Sequence, residues 1–119
     1  MREPINEEQS VPAQIVIDPA DGPVRVIHCA GELDMDTVDE LRRAGELIAN
    51  ASGAERLILD VSEVTFADST ALNCLLRLHQ MMPVTLSGPL HRQFTRLLQV
   101  TGTDAVFTLS ASIEEARSG

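Results

Sequence analysis

"RLILDVSEVTFADSTALNCLL", residues 56–76, carries two periodicities back to back. Arg56 to Val61 is a short aliphatic run of the kind that forms a buried strand. From Ser69 onward, Leu72, Leu75, Leu76 and His79 recur at three- and four-residue intervals, the spacing of one helix face. The apolar pattern breaks between them, at Ala67-Asp68-Ser69-Thr70. A strand that turns into a helix through a polar joint is the repeating unit of α/β folds.

The same alternation extends in both directions. Upstream, "QIVID" and "VRVIHCA" are β-branched runs separated by the turn composition "PADGP", which predicts an antiparallel hairpin. A first helix follows, announced by Thr37 with Glu40 three residues on, the spacing of a capping box, and carrying Val38, Leu41, Gly45 and Ile48 as an inward stripe beside Ala44 and Ala51. Downstream of the second helix, Pro83 acts as a stop and "VTLSG" reads as a fourth strand. Leu90, Phe94, Leu97 and Leu98 mark a third helix ending at Gly102, and "AVFTL" from Ala105 reads as a fifth strand. Ser112 with Glu115 caps a short last helix. The expected architecture is one α/β domain with a mixed, mostly parallel five-stranded sheet flanked by about four helices. The proline- and glutamate-rich residues 1–12 are expected to form a flexible N-terminal arm, and residues 13–119 the domain.

Composition narrows the partners. The 119 residues include three Phe, no Trp and no Tyr, and nine basic residues, all Arg, stand against 18 acidic ones for a net charge of −9. Such a chain repels phosphate backbones and lacks the stacking platforms that single-stranded nucleic acid needs, so no nucleic acid partner is expected. No apolar run reaches the roughly 20 residues of a membrane span and the start has no apolar signal core, which predicts a cytoplasmic protein without direct membrane insertion. Cys29 and Cys74 lack a metal-like spacing and read as buried thiols, and His28, His79 and His91 are scattered; no metal, cofactor or catalytic residue is assigned.

In parallel sheets the functional loops gather where strands end and helices begin. Two segments fall there, "GELDMDT" and "SEVTFADST". Ala67-Asp68-Ser69-Thr70-Ala71 is a loose form of a nucleophile elbow, but no His follows Asp104 to complete a hydrolase triad. Asp60 and Asp68 form a candidate carboxylate pair for Mg²⁺ or phosphoryl chemistry without the Lys such sites use, and Asp68 is better read as a helix N-cap. Ser69 is then a candidate modification site, because a phosphate at a helix start meets open amides and the positive end of the macrodipole.

Together, "CAGELDMDTVDELRRA", "RLILDVSEVTFADSTALNCLL" and "LSGPLHRQFTRLLQVTGTDAVFTLSASIEEA" resemble the STAS domain, the module of anti-sigma factor antagonists and of the cytoplasmic part of sulfate transporters. The resemblance implies a protein switch with no enzymatic activity. The unmodified domain would bind an anti-sigma factor that is also a serine/threonine kinase, releasing the sigma factor. Phosphorylation would break that complex, and a phosphatase would reset it. Carried onto this chain, the phosphoacceptor is Ser69, with Thr70 as the alternative, and the partner-binding residues are Asp34, Asp68, Ser69 and Thr70. The family usually has Gly two residues after the acceptor, where this chain has Ala71. A second role compatible with the resemblance is a non-phosphorylated accessory subunit of a membrane transporter or lipid-transport ATPase.

Overall fold

The computed structural model describes residues 13–19 and 22–118. The N-terminal arm expected at residues 1–12 and the tip of the first turn lie outside the described residues. The strands are β1 (Gln14–Ile17), β2 (Val24–Leu33), β3 (Arg56–Ala67), β4 (Val84–Ser87) and β5 (Thr108–Ser110). The helices are α1 (Val38–Ala49), α2 (Ser69–Met81), α3 (Arg92–Thr101) and α4 (Ile113–Ser118). The strands lie in the order β1-β2-β3-β4-β5, with β1 antiparallel to β2 and every other pair parallel.

Because the parallel strands always step the same way across the sheet, right-handed crossovers put their connecting helices on one face. The core reflects this. Ile27, Leu57, Leu59 and Leu86 of the sheet pack with Leu41 and Ile48 of α1, Leu75 and Leu78 of α2, and Phe94 and Leu98 of α3. Leaving water contributes about 1.5–3 kcal/mol for each such large side chain. The last helix follows the last strand, is bound by no crossover, and covers the other face, where Ala116 meets Val26 and Ile58. Arg56 fastens it, donating from its guanidinium to the carbonyls of Ala116 and Arg117 at 3.2 Å each.

Several helix signals act as the sequence implies. Asp68 accepts the Ala71 amide at 3.0 Å, and α2 stops at Met81, before Pro83. Gly102 closes α3 in the left-handed region at φ 76°. Ser112 accepts the Glu115 amide at 3.1 Å, while Glu115 returns a carboxylate oxygen to the Ala111 amide at 2.7 Å.

Four expectations are corrected. The Thr37–Glu40 capping box does not form: the Thr37 hydroxyl donates to Glu32 O at 2.7 Å and accepts the Asp34 amide at 3.0 Å, so it stitches the loop instead of capping α1. Strand β3 does not stop at Val61 but runs to Ala67. The third helix starts at Arg92, after the Gly88-Pro89 step, leaving Leu90 ahead of it. At the far end, Thr103–Ala105 forms a single 3-10 turn, so β5 begins only at Thr108. Val106 and Phe107 turn their amides back to Thr103 O, which prevents an earlier start.

Helices α1 and α2 meet at Gly45. A Cβ there would stand 2.5 and 2.7 Å from the two δ carbons of Leu78, itself 2% exposed. Gly45→Val therefore overpacks this crossing. It is expected to cost about 1–3 kcal/mol, read as a lowered midpoint in urea unfolding.

Candidate functional site

The carboxyl ends of β2 and β3 lie side by side, with Leu33 opposite Ala67. The Asp68 amide donates to Leu33 O at 3.1 Å, tying the loop after β2 to the start of α2. The residues that follow these partners, Asp34 on one side and Ser69 and Thr70 on the other, thus share one edge of the sheet.

Each polar residue of the joint has a separate environment. Asp68 is half-buried and accepts the third amide of the helix, while its carbonyl accepts the Leu72 amide at 3.0 Å. The amides of Ser69 and Thr70 have no intrahelical partner at that position. Both side chains are exposed. Asp34 is half-buried, and its Oδ1 accepts the Asp36 amide at 2.9 Å and lies 3.2 Å from the Thr37 hydroxyl. Its role in the structure is therefore to hold its own loop in shape, which leaves Met35, 72% exposed, at the tip.

How the strand reaches this edge is governed by two register shifts. From His28 to Ala30, β2 advances two residues while β3 advances three, from Asp60 to Glu63. The same happens between Gly31 and Glu32, opposite Val64 and Phe66, with Gly31 at φ 87°. Bulges of this kind bend and twist a strand, and they are frequent beside functional sites. Here they bury Val61, Val64 and Ala67, every third residue.

Beyond Asp60, β3 has lost β4 as a neighbour. Gln93 on α3 takes the place of a strand. Its Oε1 accepts the Ala67 amide at 3.0 Å and its Nε2 donates to Ala67 O at 2.7 Å. Sequence reasoning missed this residue, since a single Gln facing a strand 26 positions away leaves no local signal. It also missed the exposed Met35 and Phe66, which stand out only as apolar side chains in otherwise polar surroundings.

A groove of about 310 Å³ runs from Thr70 down between α1 and α2 past Cys74 to Met81. Arg42 stands in its wall between Asp39 at 3.6 Å and Glu46 at 3.2 Å. Cys74 is 8% exposed and its thiol is pushed up to about 11, chiefly by burial; Cys29 is pushed to about 12 for the same reason. Neither is a ready nucleophile or ligand.

The structure separates the two carboxylates considered as a pair. Asp60 lies within β3 and Asp68 caps the start of α2, with the bulged second half of the strand between them. Asp60 instead accepts from the Ser62 amide and hydroxyl and contacts His28. His79 also has a structural place, its Nδ1 accepting the Val84 amide at 3.1 Å and its ring edge-on to Phe107 at 5.5 Å. Among the described residues no three His, Cys, Asp or Glu side chains converge where a metal ion could sit. No helix among them is long and apolar enough to cross a membrane.

Comparison with known proteins places this arrangement. The STAS domain family matches residues 14–116. The crystal structure of an anti-sigma factor antagonist from Mycobacterium paratuberculosis is 26% identical, with a TM-score of 0.78 over 92% of this chain and 96% of that one. The phosphorylated form of the Bacillus cell fate determinant SpoIIAA is 19% identical, with a TM-score of 0.69 over 88% of this chain and 97% of that one. The murine anion transporter Slc26a9 shares the fold at 15% identity and a TM-score of 0.67, over 94% of this chain and 22% of that much longer one.

The Gln93 clamp generates a direct test. Gln93→Glu keeps an acceptor for the Ala67 amide but loses the donor to its carbonyl. It should destabilise the domain by about 1 kcal/mol, measured by denaturant unfolding, with faster exchange of the Ala67 amide.

Proposed function

The chain belongs to the STAS domain family, and we propose that it acts within that family as an anti-sigma factor antagonist, a binding protein controlled by phosphorylation of Ser69. Unmodified, it binds an anti-sigma factor that is also a serine/threonine kinase, so that the sigma factor is released and transcription proceeds in the cytoplasm. Phosphorylated at Ser69, with Thr70 as the alternative acceptor, it lets go. A phosphatase resets it.

One observation carries this reading: Ser69 is exposed as the first residue of α2, on a joint held rigid from below by Asp68 and from the side by the Leu33–Ala67 pairing. A phosphate there brings roughly two negative charges to a helix start that has open amides and a favourable dipole, so the fold accepts it. A partner seated over Ser69, Thr70 and the Asp34 loop meets the same charge across a desolvated interface and is expelled. The relative at 26% identity, an anti-sigma factor antagonist, supports the choice of partner class. The accessory-subunit alternative rests on the transporter's likeness in fold.

Incubation with the cognate kinase and ATP should place phosphate on Ser69, or on Thr70, by mass spectrometry; modification elsewhere, or none, removes the mechanism. Ser69→Asp should abolish retention of the anti-sigma factor in a pull-down while changing stability by less than about 0.5 kcal/mol. Retention of a permease or transport ATPase by both forms would assign the accessory role instead.

A further inference from the structure

On the sheet face opposite α1 and α2, one cluster of ionisable groups has no part in the reading above. His28 on β2 lies between Asp18, just past the end of β1, and Asp60 on β3. Its Nε2 is 3.0 Å from Asp18 Oδ1 and its Nδ1 is 2.8 Å from Asp60 Oδ2. An ionised carboxylate only accepts hydrogen bonds, and a neutral imidazole has one N–H. Bonding to both carboxylates therefore requires the imidazolium, whichever tautomer the neutral ring would adopt.

We propose that His28 is a pH-operated latch on the edge strand: as the imidazolium it fastens the end of β1 to β3 across β2, and on losing its proton to solvent it releases Asp18. The asymmetry of the two carboxylates decides which one leaves. Asp60, with its side chain 17% exposed, also accepts the Ser62 amide at 3.1 Å and the Ser62 hydroxyl at 2.7 Å. Asp18, 38% exposed, has no such second hold on its carboxylate among the described residues. The charges acting on the ring are these two, and from α4 Glu114 shares a shallow pocket wall with Asp60.

The latch acts on a weak element. Strand β1 is four residues long and lies at the edge of the sheet, with Val16 and Ile17 57% and 38% exposed. Ile15 packs against the main core and the ladder to β2 holds the body of the strand, but at its end the backbone bond from the Asp18 amide to Val26 O at 3.0 Å is what holds Asp18 when its side chain lets go. Short edge elements with few buried contacts occupy the low end of local stability.

The Asp60 hydrogen bond, opposed by burial and helped by Asp18, raises the His28 pKa above its ordinary 6.5. The sign follows: the latch contributes in full below the unfolded value of 6.5 and is lost as pH rises through the higher folded value.

NMR from about pH 5.5 to about pH 9 spans the titration. The His28 ring should titrate above 6.5. Across the same step, protection of the Asp18 amide, corrected for intrinsic exchange, should fall roughly tenfold for each unit by which the pKa is raised. Asp18→Asn, a change at a half-exposed site, should keep the fold, lower the His28 pKa and flatten this dependence. A ring titrating at or below 6.5, protection that ignores the titration, or an unchanged profile in Asp18→Asn would each overturn the latch.

Discussion

Strand β3 is hydrogen-bonded on both edges from Leu57 to Asp60 and on one edge beyond it. A buried backbone group without a partner costs as much as a lost hydrogen bond, so the second half of β3 has to be satisfied by other means. Ala67, fully buried at its end, is met by the Gln93 amide group. Asp68 then passes its own amide to Leu33 and turns the chain into α2. The exposed position of Ser69 and Thr70 is a result of this solution: with Ala67 and Asp68 both fixed, the next two side chains have nowhere to point but outward.

Much of this was legible in the sequence, and the parts that were not share a physical reason. The faces of α1 and α2, the Asp68 cap, the Gly102 stop and the Ser112 cap are local patterns, each decided within about one helical turn. The end of β3 defeats a reading by period two because its bulges bury Val61, Val64 and Ala67 at intervals of three. Thr37 has the right neighbour for a capping box, yet its hydroxyl finds Glu32 O and the Asp34 amide closer to hand. Gln93 belongs to another element altogether. Of the candidate site, the strand-to-helix joint and its Asp68 cap were legible in the sequence, while the Gln93 clamp came from tertiary structure.

Two kinds of electrostatic design coexist in a chain of net charge −9. At the Ser69 edge, charge is kept low in the first turn of α2, which has no acidic residue after its cap, so an added phosphate finds a receptive helix end. On the opposite face, Asp18 and Asp60 are brought together around His28. The two regions are joined by β2 itself, which carries His28 in its middle and Leu33 at its end.

The strand order has a consequence for how the molecule comes into being. Each strand pairs with its neighbour in sequence, so every pairing closes a loop of at most about thirty-five residues, and loop-closure entropy rises only slowly over that range. Assembly can follow the direction of synthesis, hairpin first and then one crossover at a time. The Ser69 surface does not mature with its own strand and helix, however. It waits for α3, because Gln93 is made some two dozen residues after the serine it helps to present. A nascent chain thus cannot complete that surface until most of the domain exists.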